Sequence, residues 1–524
     1  MTAIADDVSR DALSTPRVEL DGRTAFFDSS IAQRLINSTF APPVSSEPGR
    51  DHPPLSHGDK IDEDVARVAS CLDKWRARNA YYHTRKLDHL RFLIPVGASV
   101  LVIGSEDGEW LAGLKPSRGV GVAMNEPARL LAESRCPEFE HVAGVEGIRG
   151  LGGPFDIVVI NDVAAELDDL YVTLRDVARL CDATTRVVVV QHNYLWRPFL
   201  WLAQRLGLKK PERKQNWLSV GDVRTFLHAA GFEVVDVRAK LFCPARLLGL
   251  GGVINFVCGV VPFLDRLAST QIIVARRFPQ GPPPETRTAS IVLTVRDERD
   301  NIEPMLQAIP DLGSSTEILF VEGHSKDGTR EEIERVIGTH PERRVRLVVQ
   351  DGVGQGDAIR KGFAEATGDV IILLEADQTT PAEDVRKVFD VLASGRAEFV
   401  NGSRFVYPRD PGSMPAVNLA GNWMFAAWFT WFLRQRTSDV LCGLKGMDRR
   451  LCRRVLDHWG FLGLFDPFGD FELAFGAARF GLKICEVPTR YGCRLYGRPK
   501  TRAFRHGWML LRMALRATRV FKCR

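Results

Sequence analysis

Gly368-Asp369-Val370-Ile371-Ile372-Leu373-Leu374-Glu375-Ala376-Asp377-Gln378-Thr379-Thr380-Pro381 is the stretch on which the reading of this chain turns. Five consecutive apolar residues, introduced by Gly-Asp and stopped by an acidic pair, predict a parallel strand. Such strands are covered on both faces, so their hydrophobicity is continuous rather than alternating. The strand would deliver Glu375 and Asp377 to its carboxyl end, the edge where open α/β sheets bind ligands. With the two carboxylates two positions apart, one can hold a hard divalent cation while the other acts through water or the ligand's sugar. An isolated acidic pair reads more simply as a strand entering a solvated turn, so the flanking sequence has to decide.

Three strand-turn-helix units precede it. Ser290 to Val295 is an apolar strand followed by the polar turn Arg296-Asp297-Glu298-Arg299-Asp300-Asn301 and a helix start. Glu317 to Val321 is the second strand, ending in Glu322-Gly323-His324-Ser325-Lys326-Asp327-Gly328-Thr329, a turn with helix-capping chemistry. Val345 to Val349 leads into Gly352-Val353-Gly354-Gln355-Gly356, a glycine-rich turn opening a helix, whose exposed amides suit a phosphate.

This order resembles the nucleotide-sugar half of family 2 glycosyltransferases, which have the GT-A fold, and among them the dolichyl- and polyprenyl-phosphate sugar transferases. The resemblance covers residues 288 to about 510. It is carried by Asp297-Glu298, Ser325-x-Asp327-Gly328-Thr329, Glu375-Ala376-Asp377, Gly402-Ser403-Arg404-Phe405, Ser438-Asp439 with Cys442-Gly443, Gly469-Asp470-Phe471-Glu472, and Arg494-x-Tyr496-Gly497-x-x-Lys500. It implies inverting transfer of a sugar from a nucleotide-sugar donor to an acceptor, a polyprenyl phosphate in this subgroup, with Mg2+ or Mn2+ at Asp377 and Glu375. It also implies nucleotide-sugar contacts from Glu298, Glu322, Ser325, Asp327, Gly356, Glu375 and Arg404, and a catalytic set of Asp377, Asp470, Arg494 and Lys500. A lipid phosphate, with a second pKa of about 6, would arrive mostly as an anion and need no strong base. A hydroxyl acceptor would need one, and Asp470 is the candidate, with a helix cap or salt-bridge partner as its plainer role.

Three positions depart from the pattern. Glu375 stands where aspartate is usual, Gln355 where lysine is common, and Glu322-Gly323 where two aspartates are usual. Arg360, Lys361 or the basic tail could replace the lost charge at 355.

The first half carries a second α/β signature. Strands are predicted at Ala98 to Ile103, Gly119 to Met124, Phe155 to Asp162 and Arg186 to Tyr194, with a late pair near Phe232 to Val237 and Gln271 to Ala275. Together with Trp75 and the segment Asn79 to His83, this order resembles class I S-adenosylmethionine-dependent methyltransferases, a seven-stranded doubly wound sheet. The expected architecture is thus α/β with two doubly wound domains, a Rossmann-like methyltransferase fold and a GT-A fold. The resemblance puts cofactor contacts at Gly104, Gly108 and Asp162. Yet Glu106 replaces the middle glycine of Gly-x-Gly-x-Gly, and Ala123 occupies the strand end where an acidic residue meets ribose hydroxyls. Weak or absent S-adenosylmethionine binding is therefore the expectation. A bifunctional methyltransferase-glycosyltransferase and a non-catalytic sugar-nucleotide scaffold stand as alternatives.

At 524 residues the chain is long enough for two or three domains. The expected boundaries are a disordered segment at 1–58, a methyltransferase-like domain at 59–278, a stiff proline-rich linker at 279–287, a transferase domain at 288–503 and a basic amphipathic helix at 504–524. Ten cysteines without a CxxC spacing, and no amino-terminal signal pattern, predict a reduced, cytoplasmic protein. Residues 494–524 hold ten Lys or Arg and no acid, against a net charge of +5 for the whole chain. Arg505, Arg512, Arg516 and Arg519 share one helical face, which predicts peripheral contact with anionic lipid on the inner membrane face. No aromatic-basic motif points to nucleic acid. Leu247 to Leu264, uncharged but broken by glycines and Pro262, is expected to be a re-entrant or interfacial loop or a cap, and Val417 to Leu433 a helix on the acceptor side.

Overall fold

Two seven-stranded sheets organise the chain. The computed structural model describes residues 57–522 except 165, 168, 207–217, 246–248, 262–263, 280–282, 408–412 and 493–502. Most of the expected disordered segment, the middle of the linker, and both Arg494 and Lys500 therefore lie outside the described residues.

The first sheet comprises β1 (Ser99–Ile103), β2 (Arg118–Ala123), β3 (Glu140–Ala143), β4 (Ile157–Asn161), β5 (Arg186–His192), β6 (Phe232–Lys240) and β7 (Thr270–Arg277), in the order β3-β2-β1-β4-β5-β7-β6. β1 to β5 pair in parallel, and β7 inserts antiparallel between β5 and β6. This is the doubly wound sheet that the apolar runs predicted. β3 escaped prediction because its four residues, Glu-His-Val-Ala, contain no apolar run.

The second sheet comprises β8 (Thr288–Val295), β9 (Ser315–Glu322), β10 (Arg344–Val349), β11 (Val370–Glu375), β12 (Phe399–Ser403), β13 (Lys445–Asp448) and β14 (Ile484–Pro488), in the order β10-β9-β8-β11-β13-β12-β14. β11 lies between β8, parallel to it, and β13, antiparallel. Its alternate residues enter different cores. Val370, Ile372 and Leu374 face one apolar cluster, and Ile371 and Leu373 face another. Cover on both faces is the physical reason that five apolar residues run together before Glu375.

The two sheets belong to one unit that begins at Gly58. Polar bonds knit them together at the expected domain boundary. Arg186, the first residue of β5, gives Nε to Gly481 O at 2.9 Å and pairs Nη2 with Glu398 at 2.7 Å. Glu398 also accepts from Lys483 N at 2.9 Å and lies 3.7 Å from Arg276 Nη1. Arg238 Nη2 donates to Ala478 O at 2.8 Å, Lys483 pairs with Glu233, and Arg454 with Asp156. Phe92 of the first half joins Phe425, Phe429, Phe471, Phe475 and Phe521 in one apolar cluster.

Two helical expectations change. Helix Ala503–Lys522 packs Leu510, Met513, Ala514, Ala517 and Phe521 into that same cluster, so much of the apolar face expected to meet lipid is already covered by protein. Leu247 to Leu264 contains a helix, Leu250–Val260, rather than a loop. Helix Ala416–Leu433 forms as expected. Among the described residues, no helix is long and apolar enough to cross a membrane.

Removing one partner of a buried ion pair strands the other charge. Glu398→Ala, which leaves Arg186 buried without its carboxylate, is expected to lower stability by about 3–5 kcal/mol in denaturant unfolding. A loss below about 1 kcal/mol would place that pair among the dispensable surface bridges.

Candidate active site

The turns that leave β8, β9 and β11 meet at the carboxyl edge of the second sheet. Asp297 N donates to Ser325 Oγ at 2.9 Å, Lys326 N to Asp297 Oδ1 at 2.8 Å, and Glu298 N to Thr329 Oγ1 at 2.9 Å. Glu322 accepts from Ser325 N at 2.5 Å, and Asp327 accepts from Arg299 N and Thr329 N. Four expected nucleotide-binding residues, Glu298, Glu322, Ser325 and Asp327, thus come together by holding the first two turns against each other. Asp327 in particular accepts from Thr329 N and Thr329 Oγ1, just ahead of Gly328, the N-cap of helix Thr329–Thr339. Asn301 links this edge to the acidic turn by donating to Glu298 at 2.7 Å and accepting from Gln378 at 3.0 Å.

Gly356 has a different place from the one expected. Its amide donates to Pro467 O at 3.3 Å, and a Cβ there would lie 2.6 Å from Asp466 O. This glycine lets helix Gln355–Glu365 approach the 466–469 loop and does not present its amide to a phosphate. Arg360 and Lys361, the candidates to replace the missing lysine charge, pair with Asp357 and Asp351 respectively.

Glu375 and Gln355, two departures from the family pattern, touch each other: Gln355 Nε2 donates to Glu375 Oε1 at 3.0 Å. The extra methylene of glutamate occupies space beside Gly443, where a Cβ would fall 2.2 Å from the Glu375 carboxyl carbon. Burial, and then the charge of Asp377, push the Glu375 carboxyl up to about 7, against the opposing Gln355 bond. Asp377 is 7% exposed, and its Oδ1 accepts from Thr379 N at 3.0 Å and Thr379 Oγ1 at 2.7 Å. Such an oxygen pair, in which the Asp377 charge raises the Glu375 carboxyl, could hold a hard divalent cation completed by ligand and water oxygens. Gly492 N donates to Thr379 O at 2.9 Å, which brings the chain two residues before Arg494 to this turn.

Asp470 opens helix Asp470–Arg479 after the left-handed Gly469, and its charge is felt at Glu375. Burial raises its carboxyl to about 6, although Lys445 Nζ lies 3.1 Å from its Oδ1. Lys445 is itself 1% exposed and donates to Asn401 Oδ1 at 2.7 Å and Cys442 O at 2.6 Å. Asp466 accepts from Phe471 N and Glu472 N, ordering the start of that helix.

Arg404 does not stand on the surface. Its Nε and Nη2 fork onto Asp439 at 2.6 and 2.8 Å, and its guanidinium lies over the Tyr491 ring at 4.9 Å. Burial alone would lower its affinity for a proton, and the Asp439 charge more than reverses this. The expected phosphate contact is therefore committed to a buried bidentate pair and holds Tyr491 near Asp377 and Glu375.

Sequence reasoning missed Lys445, the Gln355–Glu375 bond and Tyr491. Lys445 left a signal, a single lysine closing Cys442-Gly443-Leu444 at the head of a short strand. The other two depend on contacts between distant segments.

The first sheet presents a different edge. Gly104 and Gly108 keep left-handed φ values of 83° and 84°, and a Cβ on Gly104 would meet Asn161 O at 2.7 Å. Glu106 is also left-handed, at φ 53°, and accepts from Trp110 Nε1 at 3.2 Å. Lys86 is fully buried, pairs with Asp162, and lies 4.7 Å from the centre of the Trp110 ring. Ala123 ends β2, and the nearby Asn125 oxygen caps the next helix by accepting Ala128 N. Among the described residues, β2 ends in Ala123 where the pattern has a carboxylate. Gly104 and Gly108 thus keep the backbone turn of the implied cofactor set, while Asp162 is paired with Lys86.

Fold and site together define a two-sheet α/β protein with paired carboxylates at the carboxyl edge of its second sheet. Residues 290–456 match the family described as glycosyl transferase family 2, and residues 75–237 match a methyltransferase domain. The chain carries a family 2 glycosyltransferase domain behind a methyltransferase-like domain. It is 26% identical over 228 residues to dolichol-phosphate mannosyltransferase of Saccharomyces cerevisiae, covering 40% of this chain and 80% of that one. It is 29% identical over 115 residues to undecaprenyl-phosphate 4-deoxy-4-formamido-L-arabinose transferase of Pectobacterium carotovorum, covering 21% of this chain and 35% of that one. The chain thus spans about a third of the Pectobacterium relative and, at 33%, of a Pyrococcus furiosus dolichol-phosphate mannosyltransferase. Among solved structures, a Mycobacterium tuberculosis glucosyl-3-phosphoglycerate synthase bound to uridine diphosphate is 20% identical, covering 44% of this chain and 80% of its own, with a TM-score of 0.33.

The Gly443–Glu375 contact makes a specific prediction. Gly443→Ala should lower sugar transfer more than tenfold, because it displaces the Glu375 carboxyl, and adding Glu375→Asp should restore part of the loss by removing one methylene. Equal activity of the single and double variants would show that the contact does not position Glu375.

Proposed function

We propose that this protein transfers a sugar from a nucleotide-sugar donor to a polyprenyl phosphate, with inversion at the anomeric carbon. The observation that carries this reading is the paired carboxylates Glu375 and Asp377 at the end of β11, beside the turns of β8 and β9. Asp377, with Glu375, would hold Mg2+ or Mn2+, which supplies neutralisation of the charge that builds on the departing nucleoside diphosphate. Glu322, Ser325 and the turns they join shape the nucleotide end of the cleft. Gln355 and Gly443 fix the Glu375 carboxyl from two sides.

A phosphate acceptor attacks as the anion it already is, so the protein's task is to bring two negatively charged reactants together. Arg494 and Lys500, outside the described residues, supply the charge for that in this reading. Asp470 becomes the general base where the acceptor is a hydroxyl, and Lys445 keeps it available in the ionised form. Peripheral contact with the membrane follows from a lipid acceptor. The methyltransferase-like half acts as a structural partner, supported by the Arg186–Glu398 pair and by the Lys86–Asp162 pair in its cleft.

The test is a panel of nucleotide sugars incubated with membrane lipid extract and Mn2+, with products read by mass spectrometry. One donor should give a lipid-linked sugar, and Asp377→Ala should reduce its formation at least a thousandfold. A panel in which no donor gives a lipid-linked product would overturn the acceptor assignment.

A further inference from the structure

Two helices of the methyltransferase-like half bury almost nothing. Helix Arg197–Arg205 has no buried residue, and helix Leu250–Val260 buries only Gly251. A helix in a folded domain is normally held by one apolar face, and these two turn apolar side chains outward instead. Phe199, Trp201 and Leu202 are 64%, 51% and 49% exposed, and Leu250, Val253 and Phe256 are 64%, 58% and 51% exposed. Thirteen of the twenty-five large apolar side chains exposed among the described residues fall between Tyr194 and Leu267.

The sheet register puts both helices at one edge. His192 at the end of β5 and Lys240 at the end of β6 both pair with Thr270 at the start of β7, so the two excursions leave the sheet side by side. Local bonds join their bases. Asn193 N donates to Ser269 O at 2.7 Å, Trp196 Nε1 to Leu267 O at 2.6 Å, and Trp196 packs edge-on to Phe242. Asn255 of the second helix bonds Cys243 through both its amide groups. The result is one apolar shelf rather than scattered exposed residues, and a shelf of this kind marks an interaction surface.

Charge selects the occupant. Helix Arg197–Arg205 carries Arg197 and Arg205 and no acid, and helix Leu250–Val260 is uncharged. A second copy of the chain would oppose like charge to like charge across a two-fold interface. An anionic lipid surface complements both the basic and the apolar parts, and tryptophan and tyrosine, present at Tyr194, Trp196 and Trp201, favour the membrane-water boundary. We propose that helices Arg197–Arg205 and Leu250–Val260 form the membrane-docking surface of this protein, seated on anionic phospholipid. The proposal deepens the membrane contact named above, and its readout, vesicle binding, is separate from whether sugar is transferred.

The test is co-sedimentation of the full chain with vesicles of phosphatidylglycerol and phosphatidylcholine, and of phosphatidylcholine alone. The expected result is binding to the anionic vesicles, weakened by added salt and reduced more than tenfold in Trp201→Glu/Phe256→Glu. The thermal unfolding of that variant should match wild type, since both sites are exposed. Trp508→Glu/Leu515→Glu, on helix Ala503–Lys522, should bind nearly as wild type. Loss of binding in this second variant but not the first would overturn the assignment, as would equal binding by the first variant and wild type. Dimerisation in sedimentation velocity that Trp201→Glu/Phe256→Glu abolishes, without any vesicle binding, would also overturn it in favour of a second copy.

Discussion

Negative charge gathered at the carboxyl edge of the second sheet is the constraint on which the rest of the site depends. Glu375 feels the charges of both Asp377 and Asp470, and burial helps push the Glu375 and Asp470 carboxyls up to about 7 and 6. Like charges in such a place are tolerated only where neighbouring groups or a bound cation offset them. The structure supplies some compensation, with Lys445 against Asp470, Gln355 against Glu375, and Thr379 against Asp377. In the proposed reading, a hard divalent cation and its diphosphate ligand would offset the remainder.

The same economy explains the substitutions. Glutamate for aspartate at 375 carries the carboxyl farther, and glutamine for lysine at 355 meets it there with a neutral donor. Gly443 leaves the space that the longer side chain needs. Read one at a time, these residues look like erosion of a catalytic pattern; in contact, they form an alternative arrangement of the same carboxylate pair. The first sheet offers no comparable repair. Glu106, Ala123 and Asp162 each depart from the cofactor pattern or are committed elsewhere, while β5 to β7 are tied to the second sheet through Arg186, Arg238 and Arg276.

Much of the fold was legible because parallel strands covered on both faces leave unbroken apolar runs. β1, β2, β4, β5, β8, β9 and β11 were all readable within a residue or two on that basis. β3 and β13 were not, since each has four residues and β13 begins with the charged Lys445. The candidate site divided along the same line. Glu375, Asp377 and Asp470 could be named from their place at the ends of predicted elements. The roles of Arg404 and Gly356 could not, because Asp439 lies 35 residues from the first and Pro467 more than a hundred from the second, and pairings of that separation leave no local pattern. The tail shows what a helical period leaves open. Its amphipathic period was real, but a helix periodic enough to lie on lipid is equally suited to lie on Phe471 and Phe475.

The central claim is that Glu375 and Asp377 form a divalent-metal site completed by a nucleoside diphosphate. Its most direct test is calorimetric titration of Mn2+ into the protein with and without uridine or guanosine diphosphate. Wild type should bind Mn2+ at one site, more tightly in the presence of one diphosphate, and Asp377→Ala should lose that coupling while remaining folded. Unchanged Mn2+ binding in Asp377→Ala, or no Mn2+ binding by wild type with either nucleotide, would contradict it.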